Sequence, residues 1–102
     1  MTRRVQVAAV QDDIACALRE IEEFIHATNA VRREKRKRSW ATACRIQIDK
    51  LTTLKKKFKH AARLLEMDRK VEFMHFLRKW AIKREGGWEA SLERCYAKNV
   101  VG

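Results

Sequence analysis

Proline is missing from this chain, and glycine does not occur before Gly86. With no breaker across residues 1–85, the punctuation that ends strands and shapes hairpins is absent. Long helices are the simplest reading of such a chain. The same scarcity excludes a glycine-rich phosphate loop, and neither an HExxH pair nor a nucleophile elbow occurs. No stretch approaches the roughly 20 apolar residues of a membrane span. The N-terminus, Met1-Thr-Arg-Arg, leads into no signal-peptide core, because Asp12 and Asp13 interrupt the apolar run. Cysteine is sparse and odd in number: Cys16, Cys44 and Cys95 form neither a CxxC pair nor a zinc-ligand pattern. Each falls on or beside an apolar stripe and is expected to be a small buried hydrophobe in a reducing compartment, cytoplasmic, or nuclear in a eukaryote.

What the chain does hold is charge. Of its 102 residues 36% are Asp, Glu, Lys or Arg, against a usual fraction of about a quarter. The distribution is uneven. Arg32–Lys70 carries 15 bases against four acids, a net +11, whereas residues 1–31 carry −2 and residues 71–102 carry +2. Charge concentrated in this way makes a local field, and a local positive field suggests a polyanionic partner.

The length bounds the chain to one domain, 1–102, with 31–70 as its basic central segment. Its expected class is all-α: a helical bundle of three long helices and a short C-terminal one. The first helix spans about Val5 to Thr28, where Val7, Val10, Ile14, Ala17, Ile21 and Phe24 recur at spacings of three and four. In the second, Trp40, Cys44, Ile48, Leu51, Leu54, Phe58, Ala61 and Leu65 make an apolar stripe. The link through residues 29–39 reads equally as continuous helix or as a connection, with Ser39 as a candidate cap. A break at Met67-Asp68 begins the third helix, Arg69 to Glu85. There Val71, Phe73, Met74, Phe76, Leu77, Trp80 and Ala81 cover an arc wide enough to pack on two neighbours. Gly86-Gly87 ends it with a left-handed position, and Trp88, Leu92 and Cys95 or Tyr96 give the fourth helix a face. The tail from Asn99 is expected to fray. Two helices this long leave open a homodimer with the first two stripes as a coiled-coil-like seam.

Two basic clusters are the candidate binding residues. Arg32, Arg33, Lys35, Arg36, Lys37 and Arg38 form the first; Lys50, Lys55, Lys56, Lys57, Lys59 and Arg63 form the second. Like charges three and four apart on a helix repel by a few tenths of a kcal/mol per pair. Helix stability alone would therefore place Glu among these lysines, and Glu is missing. Phosphate neutralisation with counterion release is the function such clusters suit. A basic zipper does not fit, since the heptad Cys44, Leu51, Phe58, Leu65 lasts barely three repeats and has lysine-rich flanks. Trp40 adjoins the basic run as a candidate stacking residue, yet its phase with Cys44, Ile48 and Leu51 favours burial. Trp88 suits either an exposed corner or packing on Trp80.

His26, His60 and His75 lie far apart in sequence, and adjacent Asp12 and Asp13 point to different sides of a helix. No catalytic set, metal site or cofactor is expected. The leading expectation is a nucleic-acid-binding regulatory or accessory factor, with duplex DNA weakly ahead of RNA because exposed stacking residues are few. The alternative is a protein-interaction module, of the kind found in viruses and mobile elements, docking its basic surface on an acidic protein. Two weaker readings are a bundle whose lysines are a solvated face, and attachment to an anionic membrane surface.

Overall fold

The computed structural model describes residues 3–65 and 70–101, with the backbone alone at 3–10, 64 and 70. The fold is all-α. Among the described residues four helices, α1 (Arg3–Lys35), α2 (Arg38–Leu64), α3 (Lys70–Lys83) and α4 (Gly87–Tyr96), are followed by a five-residue π-helical turn, Ala97–Val101. The molecule measures 52 × 23 × 21 Å. A helix of 33 residues is about 50 Å long at 1.5 Å per residue, so α1 alone sets the long axis. Among the described residues no helix is long and apolar enough to cross a membrane.

Residues 29–39 resolve into both options. Helix α1 runs past Thr28 to Lys35, and the chain then reverses over Arg36 and Lys37. Arg36 takes φ 46°, a left-handed position without glycine, and Lys37 is extended. Arg32, Arg33 and Lys35 occupy the last turn of α1, where cations complement the negative end of the helix dipole. Continuing the helix would instead stack Arg32 on Arg36 and Arg33 on Lys37. Ser39 does not cap α2; the cap position falls to Lys37, which makes no side-chain capping bond.

The reversal lays the two apolar stripes on each other. Ile14, Ala17, Ile21 and Phe24 of α1 share one core with Leu51, Leu54, Phe58, Ala61 and Leu65. The seam considered for a dimer is thus filled within one chain. Helix α3 seals this hairpin on two neighbours, with Trp80 edge-on to Phe24 at 5.1 Å and Phe73 edge-on to Phe58 at 6.4 Å. An ion pair from Arg84, just past the end of α3, to Glu20 ties this end of the helix to α1. Not all of α3's apolar arc is used: Val71 and Met74 are exposed, as is Ile82. The expected break at Met67-Asp68 lies outside the described residues, as do the side chains of Val7 and Val10.

Gly86 and Gly87 both take positive φ, 80° and 84°, and turn the chain into α4. A Cβ at Gly86 would sit 2.8 Å from that of Ala90, so glycine is needed there for space as well as for conformation. Helix α4 then builds a second core at the hairpin tip, where Ala43, Cys44 and Leu92 are buried and Val31, Trp40, Tyr96 and Val100 pack around them. Trp88 packs on both cores, so it joins the two rather than standing at an exposed corner. The tail is ordered where fraying was expected: Asn99 Nδ2 donates to the Cys95 carbonyl at 3.0 Å. Of the three cysteines, Cys44 and Cys95 are buried, but Cys16 is exposed, because it lies one position off the stripe at Ala17.

Candidate nucleic-acid interface

The two basic clusters do not merge into one surface. The first wraps the hairpin tip, with Arg32, Arg33 and Lys35 closing α1, Arg36 and Lys37 in the turn, and Arg38 opening α2. All six are exposed. Lys35 lies over the Trp40 ring, 4.0 Å from its centroid. Tyr96 stacks on the same ring at 4.2 Å and 18°. Tyr96 takes the stacking position on Trp40 that a base would need, and Lys35 also lies over the ring.

The second cluster divides by helical phase. Lys55 turns toward α1 and bonds Glu22. That hydrogen bond and the Lys55 charge hold the Glu22 carboxyl below its usual range, with smaller help from His26 and Lys59. Lys56, Lys59 and Arg63, spaced three and four apart, form an exposed row on one side of α2. Lys50 and Lys57, seven residues apart, flank the apolar stripe on the side toward α3.

Lys50 and Lys57 meet lysines that sequence reasoning passed over. Lys79 and Lys83, one turn apart on α3, complete a solvent-open cleft of about 400 Å³ with Asp49, Thr53 and Leu54. Asp49 is the one carboxylate among the described lining residues. An adjoining recess of about 260 Å³ shares Lys50, Lys79 and Lys83 and adds Gln47, Ile82, Ser91, Arg94, Cys95 and Lys98. Cations from three helices and the C-terminal turn thus converge along one side of the molecule. Burial, followed by the neighbouring charge of Lys50, holds the Lys83 ammonium below the usual lysine range. Arg94 adds to that repulsion and donates to the Lys83 carbonyl at 2.9 Å.

At the floor of the recess the Ser91 hydroxyl donates to Gln47 Oε1 at 3.2 Å. Gln47 is fully buried, and its Nε2 has no partner among the described residues. A buried donor left unpaired costs about 1–3 kcal/mol.

Lys79, Lys83, Arg94 and Lys98 escaped notice because residues 71–102 carry only +2. Local sums hide them among four glutamates, of which Glu85, Glu89 and Glu93 are exposed and line neither the cleft nor the recess. The spacing of four between Lys79 and Lys83, beside the core residue Trp80, was the available signal. No family model, curated protein or solved structure matches the chain.

Proposed function

We propose that this chain binds nucleic acid through the phosphate backbone, using the α2–α3 cleft as its principal contact and the basic hairpin tip as a second. The observation that carries this reading is the cleft itself: Lys50 and Lys57 face Lys79 and Lys83 with Asp49 as the one carboxylate among the described lining residues. Folding brings these like charges together at an electrostatic cost, and a polyanion relieves it. A duplex is favoured over a single strand. Trp80 and Phe58 are buried, and Trp40 is already stacked on Tyr96 with Lys35 over its ring, so stacking on splayed bases has little support. Contacts of this kind give affinity with little sequence preference.

Titration of the pure protein with fluorescent duplex DNA, single-stranded DNA and RNA at 50 and 200 mM salt tests the reading. Four neutralised phosphates give a log–log slope of about −3.6, an affinity loss of about 150-fold across that range. An affinity that hardly moves with salt would remove the reading.

A second reading is kept because α3 also exposes Val71, Met74 and Ile82, a row beside Lys79 by helical phase. An apolar row flanked by cations suits an acidic protein partner, whose charges would set on-rate and orientation. Recovery of a partner from nuclease-treated lysate favours it, and loss of all partners on nuclease treatment favours nucleic acid. A homodimer would need a surface of this kind too, since the α1 and α2 stripes are occupied by each other.

A further inference from the structure

The recess between α2, α3 and α4 differs from the outer cleft in ways that bear on what it takes. Its lining holds five cations, Lys50, Lys79, Lys83, Arg94 and Lys98, and no carboxylate among the described residues. The outer cleft has four lysines and tempers them with Asp49. The recess therefore suits the more highly charged anion of the two. Gln47 adds a hydrogen-bonding demand. Its Oε1 is engaged by Ser91, while its Nε2 is buried with no partner among the described residues. That nitrogen can only donate, so the group it lacks is an acceptor. The unprotonated oxygens of a phosphate dianion are charged acceptors, and hydrogen bonds to charged acceptors are the strong ones.

Cleft and recess share Lys50, Lys79 and Lys83. A strand that lies along the cleft and ends where the cleft meets the recess brings its terminal phosphate to these shared lysines. An internal phosphodiester carries one negative charge, whereas a terminal phosphomonoester carries nearly two at neutral pH, as phosphorylated side chains do. We propose that the α2–α3–α4 recess is a seat for a phosphate dianion, supplied by the terminal phosphomonoester of a phosphorylated nucleic-acid end or by free phosphate. In the first form the inference rests on the nucleic-acid reading and names the part of the polymer that the recess takes.

The test uses the full chain and two probes: inorganic phosphate, and one short duplex made with either a 5′-phosphate or a 5′-hydroxyl end. Binding is measured at constant ionic strength for the wild type, Lys83→Met, Gln47→Leu and the distant Lys56→Ala. Lys83→Met removes a crowded cation, and Gln47→Leu removes the unpaired Nε2 together with the acceptor of the Ser91 hydroxyl; both are expected to fold, Gln47→Leu with some loss of stability, and thermal unfolding checks that they do. The expected result is tighter binding of the 5′-phosphate duplex by about tenfold, a preference lost in Lys83→Met and Gln47→Leu and kept in Lys56→Ala, since a tenfold change is one ordinary charged hydrogen bond. Equal binding of the two duplexes with no binding of inorganic phosphate overturns the seat and leaves the nucleic-acid reading standing. Binding of inorganic phosphate alone, lost in Lys83→Met, supports the seat and overturns the nucleic-acid reading. A preference that persists in both recess variants overturns this location for the seat.

Discussion

Trp80 is among the largest side chains that the fold buries, at 1% exposure, yet its indole N–H has no partner among the described residues. Its worth is therefore in packing against Phe24 rather than in a hydrogen bond. Trp80→Phe, which keeps a ring and removes the unpaired donor, is expected to lose far less stability in chemical denaturation than Trp80→Ala, which should lose about 3–5 kcal/mol. Phe58→Ala, at the contact of α2 with α3, belongs in the same range. The cysteines divide by burial. One equivalent of iodoacetamide is expected to react quickly with native protein, at Cys16, with Cys44 and Cys95 modified only on unfolding; burial also pushes the Cys44 thiol up, away from the reactive thiolate. Lys83 gives a pH signature. Its folded value lies below the ordinary lysine value, through burial and then Lys50. Between those two values the unfolded chain binds more protons, so wild-type stability should rise with pH through that alkaline window. Lys83→Met should show a smaller rise, and identical pH profiles would contradict the crowding of Lys83.

At the scale of elements, the ends of the helices divide into those with a local signal and those without one. Gly86-Gly87 marked the end of α3 in the sequence, because few other residues tolerate a left-handed turn. Gly86→Ala is expected to cost about 1–2 kcal/mol for the backbone alone, and more than Gly87→Ala in thermal unfolding, because only at Gly86 does the new Cβ meet Ala90. The end of α1 had no such mark. Arg36 turns left-handed without being glycine, and it does so because the core beyond it requires the two stripes to meet. A tertiary demand of this sort is invisible to propensity. Most of the stripes of α1 and α2 was readable from Ile14 to Leu65, although the buried positions in the middle of α2 fall to Ala43 and Gln47 and Ile48 is only partly buried; their partner was not readable, since a seam fits a second copy as well as a hairpin. In α3 the apolar arc was read too wide. Phe73 and Trp80 point inward while Val71 and Met74 do not, and composition alone cannot tell a buried methionine from an exposed one.

For the molecule as a whole, the basic centre seen in the sequence is only part of the charged surface that folding makes. Of the twelve cations named beforehand, Lys50 and Lys57 enter the cleft, Lys55 is taken by Glu22, and the six around Arg36 cap one end of a 52 Å rod. The opposing bank comes from Lys79 and Lys83, 22 or more residues further along the chain than Lys57. Charge density along a sequence reports linear neighbours, whereas a polyanion meets those brought together by the crossing of α2 and α3. This difference gives the most direct measurement of the central claim, that the α2–α3 cleft is where phosphates land. Duplex DNA affinity is measured by fluorescence anisotropy between 50 and 200 mM salt for two triple variants. Lys50→Gln with Lys57→Gln and Lys79→Gln is expected to flatten the log–log slope by about 2.7, at about 0.9 per lost phosphate contact. Lys56→Gln with Lys59→Gln and Arg63→Gln, which removes as much charge from the outer row, is expected to change it by less than one contact. Equal slopes for the cleft triple and the wild type would contradict the claim.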